Sequence, residues 1–176
     1  MKRKTILILF NLLIVWGINM SAQNQQQIPC SQPEASQFDF WIGEWKAVWK
    51  DAEGREQVGE NVIEKILGSC VISENFDGSE TIGLVGKSYS LFDARSGKWK
   101  QTWVDNQGSY LDFVGEFAER KMILSREFEA PNGNLLMQRM VWYNITEEEF
   151  DWNWEMSKDS GKTWSINWQI KYTRKI

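Results

Sequence analysis

The stretch Trp164-Ser165-Ile166-Asn167-Trp168-Gln169-Ile170-Lys171-Tyr172 decides how the chain is read. Large apolar residues take every second position, and small or polar residues fill the gaps. A period of two marks an extended strand with one buried face; a helix would group its apolar residues three and four apart. Just upstream, Phe150, Trp152, Trp154 and Met156 alternate with Asp151, Asn153 and Glu155 in the same way. The segment between them, Lys158 to Lys162, is polar and carries a glycine, as a turn between two paired strands requires.

Toward the N-terminus the texture repeats. Leu111, Phe113 and Phe117 share a strand face, as do Trp99, Gln101 and Trp103, and as do Met122, Leu124, Arg126 and Phe128. In each case the apolar set is expected to face inward. Segment 134–146 is ambiguous, because Leu135, Met137, Val141 and Tyr143 oppose an equally apolar set of Leu136, Met140 and Trp142. The faces of 56–67 and 69–76 are also open. The full pattern predicts strands at 43–51, 56–67, 69–76, 81–93, 98–105, 109–117, 120–129, 134–146, 149–157 and 163–174. All the connections are short, which joins neighbours antiparallel in a simple meander. The expected fold class is all-β, an antiparallel meander β-barrel of about ten strands, because closure removes exposed edges. An open sandwich is the alternative. A barrel this wide has room inside for more than side chains.

Composition narrows the function mostly by exclusion. The chain has 176 residues, enough for one domain, and no histidine. That count removes Ser-His-Asp triads, His-ligated zinc and His-ligated haem, and no cofactor or metal site is expected. Two cysteines are too few for a Cys-rich metal centre. Eleven tryptophans are a heavy load. Residues 1–22 read as a secretory signal: Lys2-Arg3-Lys4, an apolar run from Ile6 to Trp16, and small residues at Ser21-Ala22 for cleavage. The apolar run is short for a membrane-spanning helix, so no stable membrane insertion is expected after cleavage, and the address is secreted or periplasmic. Removal of three basic residues and no acidic ones leaves 17 basic against 24 acidic, a charge of −7. That charge argues against nucleic acid as a partner. Residues 23–37 form a polar lead-in, read as flexible, and 38–176 form the barrel domain. Export makes a structural disulfide between Cys30 and Cys70 the expected pairing.

The folded part opens with Phe38-Asp39-Phe40-Trp41-Ile42-Gly43-Glu44-Trp45. Gly43-x-Trp45 on the first strand of a meander barrel resembles the opening of the calycins, the lipocalin-like barrels. The resemblance implies that Trp45 packs inward at a closed end with an arginine laid across it. Arg174 has the inward parity of Tyr172 and stands at the chain's end. Trp45 and Arg174 are therefore expected to be structural, a cation on an indole face. The wider pattern (FDFWIGEW, GSCVISENFDG, GKWKQTWVDNQG, RMVWYNIT, SKDSGKTW) resembles a bacterial family of secreted domains without assigned function. Its barrel is similar to that of the haem-binding nitrobindins, whose ligating histidine has no counterpart here. Ser157 to Trp164 also matches the Asp-box, S-x-D-x-G-x-T-W, which sialidases repeat around a propeller. A single copy reads as a hairpin turn in which Asp159 bonds backbone amides.

Arg126 stands out as a cation on an apolar strand face, which is costly unless it is paired. Glu64 or Glu74 would pair it inside the protein; otherwise it would hold an anionic head group of a ligand. Arg139, between Met137 and Val141, is a second candidate, and Gln101 and Tyr143 could add hydrogen bonds. Trp49, Trp99, Trp103, Trp152, Trp154 and Trp168 are expected to line the interior. The reading these residues favour is a secreted barrel that binds a small apolar or amphipathic molecule. One alternative is an enzyme using an inward Glu/Arg pair for isomerisation, decarboxylation or hydrolysis. Another is a filled barrel acting as an envelope interaction module, with an exposed patch at Leu136, Met140 and Trp142. No catalytic constellation is recognisable.

Overall fold

A computed structural model describes residues 29–175. The predicted signal segment and residues 23–28 lie outside the described residues. The strands are β1 (Gly43–Lys50), β2 (Glu56–Ile66), β3 (Val71–Gly78), β4 (Leu84–Asp93), β5 (Lys98–Asp105), β6 (Tyr110–Ala118), β7 (Lys121–Glu129), β8 (Leu135–Tyr143), β9 (Glu149–Ser157) and β10 (Ser165–Arg174). Each pairs antiparallel with the next, and β1 closes on β10 with Trp45 opposite Arg174. This is the predicted meander closed into a barrel, not a sandwich. The largest departure at a strand start is β4. Ser79–Ile82 form one helical turn, α1, so the strand begins at Leu84 after Gly83 rather than at 81.

One end of the barrel is stoppered. Two short 3-10 turns, Pro33–Ser36 and Asp39–Trp41, lie across it. The polar lead-in is therefore not loose where it is described. A disulfide from Cys30 to Cys70 ties it down, Ala35 is buried, and the Trp99 indole N–H donates to Gln37 Oε1 at 3.2 Å. The disulfide closes a sequence separation of 40, which stabilises the fold by roughly 3–4 kcal/mol by restricting the unfolded chain. Phe38 fills the stopper. It stacks on Trp41 at 4.7 Å and meets the edges of Trp99 and Trp142 at 5.4 and 5.0 Å.

Beside this stopper, Trp45 donates its indole N–H to the Trp41 carbonyl at 2.7 Å. The Arg174 guanidinium lies 4.1 Å from the centre of the Trp45 ring. Arg174 Nη1 donates to the Ile42 carbonyl at 2.9 Å, and Nε to the Glu147 carbonyl at 2.6 Å. Gly43 makes that position possible. Its φ is +134°, and a Cβ there would come within 2.2 Å of Arg174 Nη1.

The pleat assigns faces, with a correction in β10. Trp168, Ile170 and Tyr172 keep inward parity, but a register shift between Ile166 and Trp168 breaks the alternation. Ile166 is 56% exposed rather than inward. A bulge displaces every side chain beyond it, which a strict period of two cannot anticipate. Trp164 belongs to the turn, where it donates to the Gly161 carbonyl at 2.9 Å. Asp159 anchors the same turn. It accepts from the Thr163 backbone N–H at 2.9 Å and from the Thr163 hydroxyl at 2.6 Å, and these bonds hold its carboxyl down to about 2.

Register also resolves segment 134–146. Met140 faces Leu124 and Trp142 faces Met122 across β7, inside the barrel. Both are buried. The exposed patch expected of an interaction module at Leu136, Met140 and Trp142 is therefore not formed.

Candidate functional site

Above the stopper the interior is not filled. A cavity of about 190 Å³ rises from Trp41 on its floor toward the turns β1–β2, β3–β4, β5–β6, β7–β8 and β9–β10 at the other end. Its floor, with Trp41 and Trp142, is fully buried. Its upper wall is Leu84, Trp103, Leu111, Trp154 and Trp168, all partly exposed, so solvent reaches it from that end. Local sequence shapes this wall. A Cβ at Gly86 would sit 2.0 Å from the Trp103 ring, so only glycine lets that indole lie across β4. Behind Trp168, Trp49 and Trp152 set their rings edge-on at 5.3 and 5.7 Å and fix its plane.

Among the described residues, one ionisable carboxylate lines the cavity, that of Glu74 on β3. Strand parity puts it inward between Ile72 and Phe76. Its oxygens accept from Asn61 Nδ2 at 2.7 Å and from the Ser88 hydroxyl at 2.5 Å. Burial pushes its carboxyl up to about 7, with the bonds from Ser88 and Asn61 opposing that rise. The Tyr172 hydroxyl, also in the lining, is pushed up by its own burial and then by the Glu74 charge.

The predicted site residues separate into three groups. Trp103, Trp152, Trp154 and Trp168 line the cavity. Trp49 supports the wall from behind, and Trp99 belongs to the stopper. Gln101 is buried in the wall, where it donates to the Ser90 hydroxyl at 2.8 Å, but it is not in the lining. Arg126 does face inward on β7, yet it also stands outside the lining. Its guanidinium lies 5.1 Å from the Phe128 ring and 5.9 Å from Phe113, with Gln138 Oε1 at 3.5 Å. Neither expected carboxylate partner meets it: Glu64 is exposed on the outer face of β2, and Glu74 is held by Asn61 and Ser88. Arg126 makes no ion pair among the described residues, and the Glu/Arg pair required by the enzymatic alternative is not assembled.

Arg139 and Tyr143 are corrections, since both point outward. The inward face of β8 belongs to Met140 and Trp142, and odd-numbered residues take the other side. Arg139 Nε donates to Glu155 Oε2 at 2.6 Å, and the guanidinium covers the Trp164 ring at 4.0 Å. Tyr143 donates to Asn153 Oδ1 at 3.2 Å and accepts from Gln169 Nε2 at 2.8 Å. These residues form a polar lattice on the outer surface of β8, β9 and β10.

Sequence reasoning did not place Trp41, Phe76, Trp142 and Tyr172 in the cavity wall. Phe76 and Tyr172 carried the parity signal; Trp142 was hidden by the two-sided apolar pattern of its strand, and Trp41 by its place in a turn. Among the described residues, no helix is long and apolar enough to cross a membrane. Nor is any group of three or more His, Cys, Asp or Glu placed to hold a metal ion. No family model matches this sequence, and no curated protein matches it.

Proposed function

We propose that the chain is an exported binding protein that takes a small apolar or amphipathic molecule into the open half of its barrel. The observation that carries this reading is the cavity of about 190 Å³, walled largely by tryptophans, with a buried floor at Trp41 and Trp142 and a partly exposed wall at the other end. Protein interiors are ordinarily packed without voids larger than a water. An apolar hollow of this order accepts a benzene-sized molecule. The lining supplies flat aromatic faces and a single carboxylate, the mix of a mostly apolar wall with few polar groups that small-molecule sites show. The calycin-like opening, the secretory signal and the disulfide support the same reading, with the periplasm or the medium as its setting.

Titration of the purified protein with benzyl alcohol, followed by tryptophan fluorescence and calorimetry, tests the proposal. Saturable one-site binding is expected, and Leu84→Trp, which fills the mouth of the cavity, should abolish it while thermal stability is retained. Absence of saturable binding, or binding indifferent to Leu84→Trp, overturns the reading.

A further inference from the structure

Resting on that reading, we infer that the ligand is a small organic cation, a positively charged nitrogen on a compact apolar body, with Glu74 as its counter-ion and the tryptophan faces as its cage. A carboxylate taken out of water is costly unless a positive charge accompanies it. The protein supplies Glu74 with two neutral partners, Asn61 and Ser88, and with no ionic partner among the described residues. Those bonds fix its position and supply no counter-charge; burial favours its protonated form below about 7, and the charge a cation would meet is present above it. The flanking positions add no cation: Asn61 and Ile63 on β2 and Ser88 on β4 are uncharged, and the titratable group that senses it from β10 is Tyr172.

Around it stand indole faces, whose quadrupoles are negative toward a ligand lying on them. Trp103, Trp152, Trp154 and Trp168 surround the upper cavity, and Trp41 and Trp142 close it below. A cation lying on the face of any of these rings would meet a negative quadrupole as well as the carboxylate, and among the described residues no cationic side chain lines the hollow. Size restricts the class further, because about 190 Å³ holds one ring or a branched group of similar bulk beside the nitrogen. The acidic surplus of the chain attracts cations over longer range.

The test compares near-isosteres. Benzylamine, protonated across the working range, and benzyl alcohol differ in charge at one position; tetramethylammonium carries charge without an N–H donor. Benzylammonium is expected to bind at least about tenfold more tightly than benzyl alcohol at pH 8. Glu74→Gln should remove that preference, with thermal unfolding of the variant as the control that the barrel survives. Without any variant, benzylammonium affinity should fall as pH is lowered from about 8 to about 5, through the titration of Glu74 near 7, while benzyl alcohol affinity stays level. Tight binding of tetramethylammonium assigns recognition to charge and rings; its exclusion with benzylammonium retained assigns it to an N–H donor at Glu74. Equal affinities for benzylamine and benzyl alcohol, unaffected by Glu74→Gln, overturn the cation inference and leave the binding reading standing. No binding of any probe overturns both.

Discussion

The two ends of the barrel use the same residue types to opposite effect. At the stoppered end, Phe38, Trp41, Trp45, Trp142 and Phe150 are all within 1% of complete burial, and their rings touch at stacking or edge distances. At the other end, Trp103, Trp154 and Trp168 are partly exposed and border a hollow. Aromatic abundance therefore does not by itself say whether a barrel is filled. The difference lies in what the chain inserts between the walls. Two 3-10 turns carry Phe38 and Trp41 into one end, whereas α1 and the tight turns at the other end carry nothing comparable inward.

The sharpest way to break this contrast is to truncate one tryptophan in each half. Trp45→Ala should cost about 3–5 kcal/mol in denaturant unfolding, since it empties a packed site and strands the Arg174 guanidinium. Trp168→Ala should cost roughly half as much, because its ring is partly exposed and already borders empty space. Equal costs would mean that the two ends are packed alike.

A second, smaller effect belongs to the hollow half. Glu74 is held near 7 in the folded protein against an ordinary value of 4.5. Between those values the folded state binds more protons than the unfolded chain, so stability should fall as pH rises from about 4.5 to about 7 and then level off. The expected loss is a few kcal/mol at most. Asp93 and Asp159 are held below the usual carboxylate range by their hydrogen bonds, Lys100 leading for one and Thr163 for the other. They act in the opposite sense and below about pH 4, outside that window. Urea unfolding of the native chain and of Glu74→Gln across this range checks the point: a slope that survives the substitution belongs to another group.

The smallest effect is expected at Arg126. Its neighbours are Gln138 and two phenylalanine rings, and it stands outside the cavity lining. Arg126→Ala should change stability by about 1 kcal/mol or less and leave benzyl alcohol binding unaltered. A large loss of affinity would extend the site from the cavity wall to this arginine.

Much of the fold was legible because its signals are local. Alternation in Phe150–Met156 and in Trp168–Tyr172 marks strands and their inner face without reference to the rest of the chain. The stacking of Arg174 on Trp45 was implied by the resemblance of Gly43-x-Trp45 to the calycin opening, and the inward parity of Arg174 agreed with it. Arg139 and Tyr143 could not be placed, because both faces of their strand are apolar and the outer one is covered by its own lattice of Glu155, Asn153 and Trp164. Ile166 misled for a different reason: one bulge reverses the faces beyond it.

By itself the amino-acid order determined the strands and their meander, since both depend on neighbours in the chain. Only the tertiary structure decided where the hollow lies, that Glu74 borders it without an ionic partner among the described residues, and that Arg126 and Arg139 do not border it. A void is a property of what opposing walls fail to fill. Its walls come from strands far apart in the sequence, so no local period encodes it.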